Sequence, residues 1–351
     1  MVSFPLFIGT YTREGGKGIY ALQLDPSTGQ LSSPVLGAET SNPTYLALSP
    51  DRRILYSVSE SAALAEAFHI EADRTRLRPL SVPQRTGEPA PCHLSVDHTG
   101  RALVLVNYHT ALIASLPIRN DGALEAPETL IQHQGSSINA DRQSSAHPHS
   151  ITISPDNRFA LVCDLGLDKI FTYRLDPVAA LLAPGEPPFT HAAPGSGPRH
   201  FAFSPDGSRA FVLTEMGATV TSYNYGPENG TLTPIDSQST LPADYRGENK
   251  CAAVRVHPNG RFVYASNRGH DSVAVFSVDQ SLGKLSLVEI VPCGGKSPRD
   301  ITLSPDGKWL VAANQDSNTL TVLQVAEKTG RLTATTSTAS VSMPVCVLFA
   351  S

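Results

Sequence analysis

This chain of 351 residues contains neither a long apolar run nor a marked excess of charge of either sign. No 18 apolar residues stand in a row, so no segment reads as a membrane-spanning helix. Charged residues make up only 17%, with 27 Lys and Arg against 32 Asp and Glu, a formal net charge of −5. Without a basic excess, nothing suggests binding to nucleic acid or to an anionic membrane surface. Cysteines are few and scattered (Cys92, Cys163, Cys251, Cys293 and Cys346), and none form a Cys-x-x-Cys pair. An odd, dispersed set predicts reduced core thiols in a cytoplasmic protein. The first residues, Met1 to Ile8, run into an apolar strand without a basic n-region or a small-residue cleavage site, so no secretory leader is expected. No Gly-x-Ser-x-Gly is present, and the one cysteine beside a histidine, Cys92 before His93, sits where strand neighbours point to opposite faces. Nucleophilic catalysis is therefore poorly supported.

Glycine (26) and proline (28) are plentiful by contrast, as suits a turn-rich β protein. Many of them belong to a unit that returns six times: an apolar run, a polar turn, then a second apolar run. Its clearest copies begin at Leu48-Ser-Pro-Asp, Ile153-Ser-Pro-Asp, Phe203-Ser-Pro-Asp-Gly and Leu303-Ser-Pro-Asp-Gly, with variants at Val96-Asp-His-Thr-Gly and Val256-His-Pro-Asn-Gly. The turn positions, Pro50, His98, Pro155, Pro205, Pro258 and Pro305, lie 47 to 57 residues apart. Proline fixes φ, Asp or Asn bonds to its own backbone, and Gly supplies positive φ, so each unit is read as a hairpin. A third run and a fourth follow most hairpins, as in Ser272–Val278 and Leu285–Val288. Four strands repeating at this period are the signature of a propeller.

The count of blades follows from the chain ends. Leu6–Thr12, Gly18–Leu24 and the turn at Asp25–Gly29 resemble the last three strands of a blade, while Pro344–Phe349 resembles a first strand with nothing after it. Joined, they predict an all-β, seven-bladed β-propeller of four-stranded antiparallel blades, residues 1–351 as a single domain, closed by N- and C-terminal strands sharing one blade.

In such a ring the first strand of each blade lines the central channel, and its start lies at the same rim as the end of the second strand. The first-strand starts are Thr44, Cys92, His149, Arg199, Ala252 and Arg299; the second-strand ends are Glu60, Tyr108, Leu165, Glu215, Arg268 and Gln315. One mouth therefore gathers His149, Arg199, His200, Glu215, Arg268 and Arg299, surrounded by Glu60, His93, Tyr108, Asp164 and Gln315. Three arginines with carboxylates and a histidine make an anion site with acid/base capability. The plainer readings are a structural Arg199–Glu215 ion pair, scaffold histidines at His149 and His200, and Arg268 capping a turn. His147 and His149, with Asp164, are the nearest approach to a metal set, but Pro148 intervenes and no second pair exists. Two polar segments break the repeat, 135–150 and 241–250, and both lead directly into a first strand, which favours a functional role.

Phe7-Ile-Gly-Thr-Tyr-Thr12, His147-Pro-His-Ser150, Asp164-Leu-Gly-Leu-Asp168, Gly197-Pro-Arg-His200, Thr214-Glu215, Ser266-Asn-Arg268 and Ser297-Pro-Arg299 together resemble the seven-bladed propeller lactonase family. That family includes propeller-type 6-phosphogluconolactonases and 3-carboxy-cis,cis-muconate lactonizing enzymes. The resemblance spans the chain and implies a metal-independent site on the propeller axis that needs no cofactor, with His149, Arg199, Glu215 and either Arg268 or Arg299 as the catalytic set. Arg268 is preferred because it ends a second strand, as Glu215 does. The other mouth residues are then substrate-binding: Arg299, His200, Asp164, Tyr108, Glu60, His93 and Gln315. The expected substrate is a small anion, a sugar phosphate lactone or a polycarboxylate, bound by a monomer or dimer. Hydrolysis of 6-phosphogluconolactone is the preferred reaction, cycloisomerisation of a carboxymuconate the alternative, and a non-catalytic binding platform the second alternative.

Overall fold

A computed structural model of the chain describes residues 3–87 and 90–350. Met1, Val2, Glu88, Pro89 and Ser351, which the single-domain reading of 1–351 takes in, lie outside them. The described residues form seven antiparallel sheets arranged as the blades of a propeller. Blades one to six begin with the inner strands Pro43–Leu48, Pro91–Val96, Pro148–Ile153, Pro198–Phe203, Lys250–Val256 and Pro298–Leu303. Blade seven is shared: its inner strand is the C-terminal Pro344–Phe349, paired with Phe4–Thr10, then Gly18–Leu24 and Val35–Glu39. Leu6 faces Phe349 and Ile8 faces Val347 across that seam, so hydrogen bonds between the two ends of the chain close the ring. Blade one alone adds a fifth, two-residue strand, Gln84–Arg85, on its third strand.

Local chemistry explains why each hairpin turns where it does. In blade four the Ser204 hydroxyl donates to Asp206 Oδ1 at 2.5 Å, the Ser208 amide donates to the same oxygen, and Gly207 takes a φ of +71°. A β-carbon is disfavoured in that left-handed conformation, and the Asp carboxylate replaces the ladder bonds lost at the reversal. The same Ser-Asp bond recurs at Ser49–Asp51, Ser154–Asp156 and Ser304–Asp306.

Second strands such as Ala102–Asn107, Phe159–Asp164 and Trp309–Asn314 are buried at every position, as strands covered on both faces must be. The core is distributed between neighbouring blades. Tyr56 and Val58 of blade one pack on Leu94, Leu103 and Leu105 of blade two, and Phe159 and Leu161 of blade three on Phe201 and Val212 of blade four. Among the described residues no helix is long and apolar enough to cross a membrane, and all five cysteines are free.

Candidate active site

One irregularity repeats around the ring and builds the site. Where each inner strand begins, the register slips by one residue: Pro198 faces Thr214 and His200 faces Leu213, so Arg199 has no partner in the ladder. The same bulge leaves out Thr44, Cys92, His149, Arg299 and Val345, and one residue of the Ala252–Ala253 pair in blade five. A bulge re-aims a side chain, and here it turns these side chains toward the axis. A proline precedes six of the seven, at Pro43, Pro91, Pro148, Pro198, Pro298 and Pro344; its missing N–H cannot donate to the ladder, so the strand begins irregularly there. Pro at a first-strand start is the sequence signal that marks these positions, followed by Thr44, Cys92, His149, Arg199 and Arg299 in five of the six and by Val345 in the shared blade.

Of the bulged side chains, Cys92, His149 and Arg299 line a chamber of about 270 Å³ together with Tyr11, Glu60, Tyr108, His109, Arg142, Glu215, Lys250 and Arg268. A smaller inner recess continues toward the axis, lined by Thr44, Tyr45, Glu60, Cys92, His149, Arg199, His200, Arg299 and Val345. Five cations surround these spaces against two carboxylates, so the site favours an anion.

Glu215 is the organising group. Its Oε2 accepts from Arg199 Nε at 3.0 Å and from Arg268 Nη2 at 2.9 Å, and its Oε1 accepts from Arg142 Nη2 at 2.7 Å. Burial alone would raise the carboxyl pKa, but the charges of Arg268 and Arg199 outweigh it and hold Glu215 well below the usual carboxylate range. It is ionised at every working pH and is a weak base. Arg199 is 2% exposed and also donates through Nη1 to the Ala252 carbonyl. Burial, then the neighbouring Arg268, lower its own pKa, so the bond to Glu215 helps keep it charged.

The histidines behave oppositely. Burial, reinforced by Arg199, lowers the pKa of His149 well below the ordinary value, so the imidazole is neutral. Its Nδ1 is buried with no hydrogen-bond partner. His200 lies edge-on to it with ring centroids 5.8 Å apart, His93 is 5.5 Å from His200, and Tyr45 stacks on His93 at 3.8 Å. Below them Arg255 pairs with Asp300 at 2.7 Å. Cys92 is no nucleophile, because burial pushes its thiol up to about 12.

The structure thus brings together in the chamber Glu60, Tyr108, His149, Glu215, Arg268 and Arg299, with Arg199 and His200 at the recess. Arg268 bonds directly to Glu215, whereas Arg299 reaches no acceptor among the described residues and lies over the Tyr11 ring, 5.4 Å from its centroid. Three of the residues expected to bind substrate line neither the chamber nor the recess. Asp164 is fully buried and turned away: Oδ2 bonds His133 Nδ1 at 2.6 Å, and Oδ1 accepts from the amides of His147, Gly166 and Leu167. His133 Nε2 in turn reaches the Tyr173 hydroxyl at 2.6 Å. Asp164 is the last residue of its strand, and the partner supplied by His133 decides which way the carboxylate faces. Gln315 Nε2 donates instead to Asp316, and His93 is covered by Tyr45. His147 also stands apart, stacked on Tyr108, so His147, His149 and Asp164 do not converge.

Tyr11, His109, Arg142 and Lys250 line the chamber outside the set that the sequence predicts, and of these Arg142 bonds Glu215. Arg142 stands in the polar segment 135–150, which carries no strand periodicity. The segment is nonetheless fixed: the fully buried Gln143 donates from Nε2 to the Leu165 carbonyl and accepts at Oε1 from the Asn139 amide, while Ser137 Oγ donates to Asp168. Asn139 Oδ1 accepts from the amides of Asp141 and Arg142, a local turn that aims Arg142 at Glu215 and at Tyr108, whose hydroxyl it reaches at 3.3 Å. The segment reaches the chamber through Arg142.

A family model described as "Lactonase, 7-bladed beta-propeller" matches residues 5–349. The chain is 38% identical to the 6-phosphogluconolactonase of Bacillus subtilis over 351 residues, 99% of each chain. Among solved structures it is similar to the periplasmic gluconolactonase of Pseudomonas aeruginosa, with 32% identity, 99% coverage of both chains and a TM-score of 0.94. A protein from Lactobacillus plantarum aligns with 33% identity, 99% coverage of both chains and a TM-score of 0.91.

Proposed function

The chain belongs to the seven-bladed β-propeller lactonase family, and from that premise we propose that it hydrolyses 6-phosphogluconolactone to 6-phosphogluconate, the activity named for its Bacillus subtilis relative. One observation carries the reading: a neutral histidine, one ionised glutamate and two of the arginines bonded to it, Arg142 and Arg268, face the same chamber. Ester hydrolysis needs a base to take a proton from water and positive charge where the tetrahedral oxyanion develops.

His149 is the base. Water attacks the lactone carbonyl carbon and its proton passes to the imidazole; the carbonyl oxygen becomes an oxyanion beside Arg268. As the ring C–O bond breaks, the imidazolium returns the proton to the departing ring oxygen, and the new carboxylic acid ionises into solvent. Glu215 fixes Arg142, Arg199 and Arg268 in place and offsets part of their mutual repulsion. The phosphate dianion fits the outer part of the chamber, where Arg142 and Lys250 are accessible. The alternative, lactonization of a tricarboxylate, would set Glu60, which also faces the chamber, against a further carboxylate.

Purified protein mixed with 6-phosphogluconolactone should release acid well above the spontaneous rate. A rate equal to the spontaneous one would overturn the reading. No step requires a metal, so full activity is expected after exhaustive treatment with a strong chelator. We place the protein in the cytoplasm on the strength of its five free thiols; cell fractionation checks this, since the Pseudomonas aeruginosa neighbour is named as periplasmic.

A further inference from the structure

Most polar groups at the site are spent on one another, but three buried atoms and one partly buried guanidinium are not, and they border one space. Thr44 Oγ1, Glu60 Oε2 and His149 Nδ1 are buried without a hydrogen-bond partner, and the Arg299 guanidinium has neither an acceptor nor an ion pair among the described residues. Thr44, Glu60, His149 and Arg299 all line the inner recess. A buried polar atom left without a partner costs about 1–3 kcal/mol, and natural proteins leave few. Glu60 and Arg299 are oppositely charged and close enough to perturb the same tyrosine, Tyr11, yet they do not form an ion pair. The gap between them calls for a group that donates on one side and accepts on the other.

The recess measures about 10 Å³, room for a single water-sized group. A phosphate is far too large for it, and an apolar ring edge would leave all the partnerless atoms unsatisfied. A hydroxyl fits: its hydrogen donates to Glu60 and its lone pairs accept from Arg299 and Thr44. We infer that the inner recess is a hydroxyl-recognition subsite, which seats one ring hydroxyl of a polyhydroxylated lactone and so orients its carbonyl toward His149. This deepens the lactonase reading and rests on it for the identity of the ring. The specificity follows from what happens in its absence, because a ring lacking the hydroxyl leaves the buried Glu60 Oε2 without a donor.

The test compares glucono-1,5-lactone with δ-valerolactone, the same ring without hydroxyls, each corrected for its spontaneous hydrolysis. The wild type should prefer the hydroxylated ring, and Glu60→Gln and Thr44→Val should each lower the ratio of the two kcat/KM values, Glu60→Gln by about 10–100-fold, the worth of a hydrogen bond to a charged group. Thr44→Ser should restore it. A ratio that stays at the wild-type value in both variants, with melting temperatures showing them folded, overturns the proposal. Failure of the lactonase reading looks different, because the wild type then accelerates neither lactone. Calorimetry with gluconate and hexanoate still decides the subsite in that case: tighter binding of gluconate that disappears in Glu60→Gln supports it. Equal binding of the two acids by the wild type means the recess holds an ordered water only, and the proposal falls.

Discussion

Arg142 and Glu215 lie 73 residues apart in the chain and on different structural units, yet the guanidinium donates to the carboxylate at 2.7 Å. Glu215 keeps two other arginines, so removing Arg142 does not leave it unpaired. Arg142→Ala should therefore act mainly on substrate binding, raising KM about tenfold or more, the scale of one charge-assisted bond, with a smaller change in kcat. Arg142→Lys, which keeps charge without the planar fork, should recover part of the loss. Steady-state kinetics on 6-phosphogluconolactone separate the two constants; an unchanged KM removes Arg142 from the substrate's path.

Glu215→Gln takes the negative charge out from among Arg142, Arg199 and Arg268. Their mutual repulsion is then uncompensated, the cluster opens, and the oxyanion loses its positioned donor. We expect kcat to fall by about a hundredfold or more and the melting temperature to drop, while 6-phosphogluconate still binds because the site has become more positive. If the protein were a binding platform, the substitution would leave ligand affinity largely intact with no turnover to lose.

His93, His149 and His200 all have pKa values held well below the ordinary 6.5, in each case chiefly by burial and next by nearby arginines. The unfolded chain protonates these groups below about pH 6.5, and the folded chain does not. The unfolded state then binds more protons, so stability falls as pH drops below about 6.5, with a slope approaching about 4 kcal/mol per pH unit for three groups. Glu215 works in the same direction lower down, since its depressed pKa stabilises the fold above its ordinary value of 4.5 and that contribution is lost as pH falls below it. Denaturant unfolding between pH 7.5 and 5 should show a plateau and then a steep decline, shallower by about a third in His200→Gln. Equal stability at pH 7.5 and 5 contradicts three neutral buried histidines.

Asp164 lines neither the chamber nor the recess but joins both ends of the segment that presents Arg142, through His133 on one side and the His147 amide on the other. Asp164→Asn keeps the shape and loses the charge on bonds to several donors, a loss of about 1–3 kcal/mol in stability. Activity should decline with it through displaced Arg142 and His149, and lowered temperature should restore part of the rate. Wild-type stability in the variant shows that the carboxylate is not what anchors the segment.

Much of this molecule was legible in its sequence because the forces that write a blade are local. Ser-Pro-Asp-Gly turns act within a few residues, apolar runs report strands covered on both faces, and the unmatched strands at the two ends count the blades and show how the ring closes. The starts of the inner strands, His149, Arg199 and Arg299 among them, were likewise readable as a rim. Partnership was not. Its sequence position groups Asp164 with the rim, whereas His133, from another blade, turns it away from the chamber; a segment without periodicity gives no direction to the side chain of Arg142; and what Arg268 and Arg299 each meet across the channel is not written in their strand positions. Sequence position determined which side chains arrive at the axis, and only the tertiary structure decided which are paired and which stay free for a ligand, because charge pairing depends on distances across the ring between residues that the chain itself holds some fifty positions apart.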